Sequence, residues 1–377
     1  MDNVTAVKPH VVVVGPVFPY RAGIAYCTTR LADELAKSCD VSILSFRRQY
    51  PKRFYPGGDD VDETLRGRTP EDAEFVLDIV QPWTWFRAAM RLRREAPDAV
   101  ILVWWIWIWA LPYRVLTTFL PRSTQVIVQA HNVTDKEPAA WKRLLANVLL
   151  RRGDVLVVHA ETERDEALRR LPRARVISTF LPVHELGQSI PTRDEAKAQL
   201  NLVGQKVALF FGHIRPFKGL DLALEAWRRV SPDVFLLAAG EAWWKGGQHY
   251  RALAEGLPNA RMEFRYIPDS EVATYFAAAD VVLAPYRTEA QSGVALTAFH
   301  FGRPVIATRV GGLPEVIEDG VNGLLVPPED PVALAIAVNH FFTDCDRAAM
   351  EAGATATARL CSWEDYGALF SRLVHRT

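Results

Sequence analysis

FFGHIRPFKG, residues 210–219, joins two different patterns. Before it, residues 206–211 form a short apolar run, the pattern of a parallel strand buried on both faces. After it, Leu220, Leu224, Trp227 and Val230 recur at helical spacing, which starts a helix near Lys218 or Gly219. The free N–H groups and partial positive charge of a helix start make such a turn an anion site. Arg215 and Lys218, three apart, add a forked donor and a point donor beside it, which suits a pyrophosphate. Two solvated turn residues would give the same letters, and the turn by itself leaves both readings open.

Downstream, strand and helix keep alternating. Residues 234–238 read as a strand ending at Gly240 and Glu241, and 262–264 as another ending in 265–269. A helix over 270–279, a strand over 281–284 and a helix over 292–302 follow. A strand over 305–308, the glycine pair Gly311 and Gly312, and a last strand within 320–326 complete the set.

The first half runs the same way. A β-branched strand at 11–14 leads through GPVFPYRAG (15–23) into a helix over 24–37, with Leu31 and Leu35 on one face. The loop is not G-x-G-x-x-G, so it gives no support for a dinucleotide site. Gly23 either lets a ligand approach the backbone or is a plain helix-start glycine. A strand at 41–46 precedes a long surface loop over 47–69, rich in Arg, Pro, Gly and Asp. A helix over 83–94 puts Arg87, Arg91 and Arg94 on one face, with Trp83, Trp85, Phe86 and Met90 on other sides. That face is either solvated or rests on an anionic membrane surface.

Residues 99–105 and 125–129 are further strands, and the second ends in AHNVTDKE (130–137). Polar residues directly after a parallel strand sit over the ligand crevice. His131 is therefore placed to meet a substrate, with Asn132, Asp135 and Glu137 near it, or else it is a hydrogen-bonded structural histidine. Strands at 155–158 and 176–178 close this half, and His159 to Thr162 repeat the strand-end pattern more weakly. Residues 179–191 (TFLPVHELGQSIP) lack periodicity and carry two prolines, so they read as a linker. The expected architecture is α/β, with two Rossmann-like doubly wound domains facing across a cleft. They cover 1–185 and 186–377, with the last helix free to pack back on the first.

Composition limits the rest. A chain of 377 residues exceeds one ordinary domain. Lys+Arg and Asp+Glu both number 44, which argues against nucleic-acid binding by bulk charge. The four cysteines, Cys27, Cys39, Cys345 and Cys361, form no C-x-x-C pair and read as reduced cytosolic packing residues. Residues 1–10 hold no signal-peptide core, and the apolar run 99–111 (AVILVWWIWIWAL) is shorter than the ~20 residues a spanning helix needs. That run is expected to be a buried strand entering a pocket wall, and the protein to be cytoplasmic.

GHIRPFKG, then PYRTEAQSG, then FHFGRPVIATRVGGLPEVIEDGVNGLLVPPED resembles the C-terminal half of family 4 (group 1) glycosyltransferases with the GT-B fold. HNVTDKE and the closing CSWEDYGALF fit the same likeness, which spans nearly the whole chain and is strongest over 207–330. The resemblance implies transfer of a sugar from a nucleotide diphosphate sugar with retention at the anomeric carbon. It implies no cofactor and no metal. Arg215 and Lys218 would hold the diphosphate, Gly23 would face them, and His131 would lie near donor sugar and acceptor. Glu289 matches the first glutamate of an E-x7-E motif, at the donor sugar. Ser292 and Gly293 would open a phosphate-receiving helix, and Tyr266 and Ile267 would cup the nucleobase.

One position departs from the family. The second glutamate of E-x7-E, which grips the donor ribose, falls on Thr297. Losing a charge-assisted pair costs on the order of 1.5–3 kcal/mol. The alternatives to a transferase are a GT-B homologue that binds nucleotide or partner without transfer, and a nucleotide-sugar epimerase. The acceptor, whether a glycan, a lipid-linked molecule or a small molecule, is not legible. The three arginines of the 83–94 helix add the expectation of weak peripheral contact with an anionic membrane at its inner face.

Overall fold

Four consecutive valines, Val11–Val14, have no solvent exposure, and all six residues of Ala99–Trp104 are buried beside them. Strands covered on both faces cannot alternate polar with apolar, which is why they appear in the sequence as unbroken apolar runs. The computed structural model describes residues 8–21, 23–51, 60–133, 139–185, 190–242 and 246–375. Asp135 and Glu137, residues 52–59 of the expected surface loop, and 186–189 of the expected linker lie outside these. The chain divides into two compact units, Met1–Pro182 with Trp363–Thr377, and Val183–Ser362.

The first unit runs β1 (His10–Val14), α1 (Gly23–Ala36), β2 (Asp40–Arg48), β3 (Ala73–Asp78), α2 (Pro82–Glu95), β4 (Ala99–Trp104), α3 (Ala110–Thr118), β5 (Gln125–Ala130), α4 (Ala140–Leu150), β6 (Val155–Val158), α5 (Glu161–Arg170) and β7 (Val176–Ser178). Its seven strands are all parallel, in the order β3-β2-β1-β4-β5-β6-β7. The order reverses between β1 and β4, the switch point of a doubly wound sheet.

The second unit runs α6 (Arg193–Gln199), β8 (Lys206–Phe211), α7 (Leu220–Trp227), β9 (Val234–Ala239), α8 (Gly246–Leu253), β10 (Ala260–Glu263), α9 (Asp269–Ala278), β11 (Val281–Ala284), α10 (Gly293–His300), β12 (Val305–Thr308), α11 (Leu313–Val316), β13 (Gly323–Val326), α12 (Pro331–Thr343) and α13 (Arg347–Leu360). Six parallel strands lie in the order β10-β9-β8-β11-β12-β13, reversing between β8 and β11. The last helix, α14 (Trp363–Val374), belongs to the first unit. There Trp363 meets Tyr26 edge-on, 5.7 Å between ring centres. These two sheets are the two Rossmann-like domains expected.

One device recurs in both units. Asp98, Asp154 and Asp280 each stand just before a strand and accept the N–H of His10, Val126 and Val207 in turn, at 2.7–2.8 Å. Each carboxylate thus satisfies an N–H at the start of a neighbouring strand, that of the first residue of β1 and of the second residues of β5 and β8.

Two stretches differ from expectation. Within 47–69, Glu63–Arg68 is a 3₁₀ helix whose start is capped by Asp62. The apolar run 99–111 is a strand only to Trp104, then passes through a 3₁₀ turn, Trp107–Trp109, into α3. On α2, Trp85 turns inward and donates to the Asp78 carbonyl at 2.7 Å, while Trp83 and Phe86 are exposed. Arg91 is taken up by Glu74 and Glu95 at 2.5 and 2.6 Å, so the three arginines are not equivalent. Among the described residues no helix is long and apolar enough to cross a membrane.

Candidate functional site

The loops that leave β8 and β11 sit at the switch point of the second sheet, and their backbones touch. Gly219 ends the Pro216–Lys218 3₁₀ turn in the left-handed region, φ 70°. A Cβ there would lie 2.0 Å from the Pro285 carbonyl oxygen, so only glycine permits the approach. Gly311, φ 51°, is under the same constraint against the Glu289 carbonyl, 1.5 Å from where its Cβ would be. Glu289 is thus held between the β8 loop and the glycine pair that follows β12.

This close packing joins Lys218 to Glu289. The Nζ of Lys218 pairs with the Glu289 carboxylate and lies 3.8 Å from the centre of the Tyr286 ring. Burial works against charge on Lys218, but Glu289 and Tyr286 outweigh it and its pKa stands above the ordinary lysine value. The site therefore stores a partly buried, protonated ammonium. Arg287 braces the same loops with two bonds to the Asp221 carboxylate (2.8 and 2.7 Å), one to Glu329 (2.7 Å) and one to the Pro216 carbonyl (2.6 Å). Burial would raise the Asp221 carboxyl, and the Arg287 guanidinium more than offsets it.

The other expected donor residues are placed as follows. Arg215 begins the 3₁₀ turn, its guanidinium 6.0 Å from the Phe217 ring. Ser292 is buried and caps α10, its Oγ accepting from Ala295 N–H at 3.2 Å, and Gly293 is the first residue of that helix. A 3.4 Å contact links Ser292 Oγ to Tyr286 Oη. Thr297 is buried inside α10, where its hydroxyl donates to the Gly293 carbonyl at 2.7 Å. Tyr266 and Ile267 lie between β10 and α9, Ile267 buried. Tyr286 and the Asp221–Arg287 brace were not singled out from the sequence, although Tyr286 and Arg287 lie within the PYRTEAQSG stretch.

Gly23 and His131 lie in the first unit. Gly23 opens α1, is exposed, and a Cβ added there meets nothing within 4 Å. His131 follows β5, its N–H on the Trp104 carbonyl at 2.8 Å. Its ring stacks on His159 (5.0 Å, 27°), and His159 stacks on Tyr366 of α14 (5.9 Å, 23°). Tyr366 Oη meets His159 Nε2 and Gln129 Nε2, each at 2.8 Å. The His131 Nε2 is buried and has no partner among the described residues. Burial pushes the His131 pKa down to about 4, and burial with His131 alongside holds His159 well below its ordinary value. The pair is neutral at pH 7. No cluster of metal-ligating side chains occurs among the described residues.

Two family models match this chain. The model described as Glycosyltransferase Family 4 covers residues 21–184, and the one described as Glycosyl transferases group 1 covers residues 205–344. The chain belongs to the family 4, group 1 glycosyltransferases. This family 4 chain is 30% identical over 230 residues to a D-inositol 3-phosphate glycosyltransferase of Xylanimonas cellulosilytica, covering 57% of this chain and 55% of that protein. To the protein of the same name from Saccharomonospora viridis it is 33% identical over 227 residues, 56% of this chain and 53% of the relative. The chain thus spans just over half the length of these curated relatives. Among solved structures it resembles a sucrose-phosphate synthase from Thermosynechococcus elongatus, with a TM-score of 0.78 and 19% identity over 97% of this chain and 98% of that one. It also resembles Anabaena Alr3699/HepE in complex with UDP-glucose, with a TM-score of 0.79 and 17% identity over 97% of this chain and 100% of that one. At these identities the likeness establishes the GT-B fold alone.

Proposed function

We propose that this chain is a retaining glycosyltransferase that moves a sugar from a nucleoside diphosphate sugar to an acceptor, without a metal. The observation that carries the reading is the partly buried, charged Lys218, held by Glu289 at the switch point of the second sheet. Breaking the bond from anomeric carbon to diphosphate leaves the electron pair, and negative charge, on the departing oxygen. Lys218, Arg215 and the N-terminus of α10 are the groups assigned to receive that charge. Glu289 keeps Lys218 protonated and in place until the diphosphate arrives. Tyr266 and Ile267 are assigned to the nucleobase, and Gly23 to close backbone approach by the ligand.

Support comes from the membership of the family and from a structural neighbour solved with UDP-glucose. His131 is assigned to the acceptor side: neutral at pH 7, it can accept a proton or a hydrogen bond at Nε2. Incubating the protein with UDP-, GDP-, ADP- and dTDP-sugars in EDTA, and measuring nucleoside diphosphate release by mass spectrometry, tests this reading. Release from one sugar donor supports it, and release from none, with or without divalent metal, overturns it. A second reading, nucleotide binding without transfer, is favoured by Thr297, whose hydroxyl is spent inside its own helix. It predicts binding in the same experiment with no release.

Weak peripheral attachment to an anionic membrane belongs to the same proposal. Trp83 and Phe86 are exposed on α2, but with Arg91 paired the attraction rests on Arg87 and Arg94. At ~1 kcal/mol each, two arginines give salt-sensitive contact rather than anchoring. Co-sedimentation with anionic vesicles that is absent at low salt would refute it.

A further inference from the structure

Tyr286 lies just past the end of β11, is 1% exposed, and has its main chain tied on several sides. Its N–H donates to the Ala284 carbonyl at 2.8 Å, and its carbonyl accepts the Thr308 hydroxyl at 2.5 Å. The next N–H, that of Arg287, donates to the Phe217 carbonyl at 2.8 Å. Thr308 ends β12 and Phe217 lies in the turn after β8, so the loop is fastened to the strand ends on either side of β11. A buried ring on a main chain held this way is a fixed surface.

Lys218 rests on that surface. Its Nζ is 3.8 Å from the centre of the Tyr286 ring, against 5.7 Å for Phe217. A ring face attracts a cation through its quadrupole, and more strongly where water is excluded. An ammonium has three N–H donors, and Glu289 draws it from one direction while the ring holds it from another. A second carboxylate in place of the ring would attract the ammonium too, but it would repel an arriving diphosphate. The ring steadies the cation without adding a negative charge. At its far end, Tyr286 Oη accepts from Ser292 Oγ at 3.4 Å, and Ser292 caps α10. One side chain thus stands between Lys218 and the start of α10, two of the groups assigned to the departing charge.

We infer that Tyr286 is a positioning residue of this site: its ring face holds the Lys218 ammonium, and its length sets the separation between that ammonium and the N-terminus of α10. The effect on turnover rests on the transferase reading, whereas the hold on Lys218 does not. A buried tyrosine that only fills space would pack equally well beside a neutral side chain, so the charge of the ring face has to be separated from its shape.

Fluorine drains negative potential from a ring face and barely changes its outline. Trifluorophenylalanine in place of Tyr286 is therefore compared with Tyr286→Phe, each made with Lys218 and with Lys218→Met, and urea unfolding gives the four folding constants. With Lys218 present, fluorination is expected to lower the folding constant at least about fivefold. With Lys218→Met it should lower it by less than about twofold, because the cycle cancels everything but the coupling between the two side chains. A space-filling role predicts equal losses in the two backgrounds. On the active donor, the fluorinated protein should turn over at least about fivefold more slowly than Tyr286→Phe, with the donor Michaelis constant within about threefold. Equal losses in both backgrounds, or no loss with Lys218, overturns the inference. Coupling in the folding constant with turnover equal to that of Tyr286→Phe overturns the positioning role. A wild-type protein that releases no nucleoside diphosphate from any sugar donor, while the coupling is present, fails the transferase reading alone and leaves the hold on Lys218 standing.

Discussion

Lys218 and Glu289 stand 71 positions apart in the chain and meet as ammonium and carboxylate where the loops of neighbouring strands cross. Their side chains are 16% and 5% exposed, so each is held largely out of water by the other. Removing one partner takes the ion pair from a charge that is largely buried. Lys218→Ala is expected to lose on the order of 3 kcal/mol of stability, read as a lower urea midpoint. A midpoint unchanged from wild type would mean that the pair is not buried in solution. The sign with pH follows from the raised lysine pKa: the contribution is complete below about pH 10.4 and is lost as pH climbs through the folded value.

The glycines separate structural from ligand-facing positions. Gly219→Ala must push the Pro285 carbonyl away and hold a left-handed φ, so it should destabilise by more than ~1 kcal/mol and part the two loops. Gly23→Ala meets no protein atom and should leave the thermal midpoint within a degree or two, yet lower donor turnover if a ligand approaches there. Equal turnover in wild type and Gly23→Ala would remove Gly23 from the site.

His131 is expected to titrate near pH 4, seen as a late shift of its ring Cε1–H resonance in NMR. Its folded pKa is below the unfolded ~6.5. The stability it contributes is therefore full above pH 6.5 and is lost as pH falls through about 4. Urea midpoints should decline over that window and decline less in His131→Asn. A resonance titrating near 6.5 would show the ring to be solvated.

The parallel strands were legible because burial on both faces leaves unbroken apolar runs, and β6, β8, β11 and β12 begin and end where those runs do. Ala73–Asp78, AEFVLD, was not, since an edge strand is covered less and keeps its charged residues. The loop that holds Lys218 could be located from local pattern, but its partner could not. What joins residues 218 and 289, or 221 and 287, is the pairing of β8 with β11, a tertiary fact without a local spacing. The His131, His159 and Tyr366 stack was hidden for the same reason, because α14 joins the first unit from the far end of the chain.

Thr297 is buried inside α10, and its hydroxyl bonds the Gly293 carbonyl one turn back. Thr297→Val keeps the shape and gives up only that bond, worth about 1 kcal/mol. Nucleoside diphosphate affinity measured by calorimetry should stay within about twofold. A loss beyond tenfold, ~1.4 kcal/mol, would show that the hydroxyl turns to the ligand.

The Lys218 charge is proposed to stabilise the departing diphosphate, and Lys218→Gln tests this most directly. The amide keeps the length and a donor to Glu289 while removing the charge. Steady-state release of nucleoside diphosphate from the active donor, compared in wild type and variant, should show turnover falling on the order of 10²–10³-fold. The Michaelis constant for the donor should change by less than about tenfold. Turnover equal to wild type would show that the Lys218 charge does not stabilise the departing diphosphate.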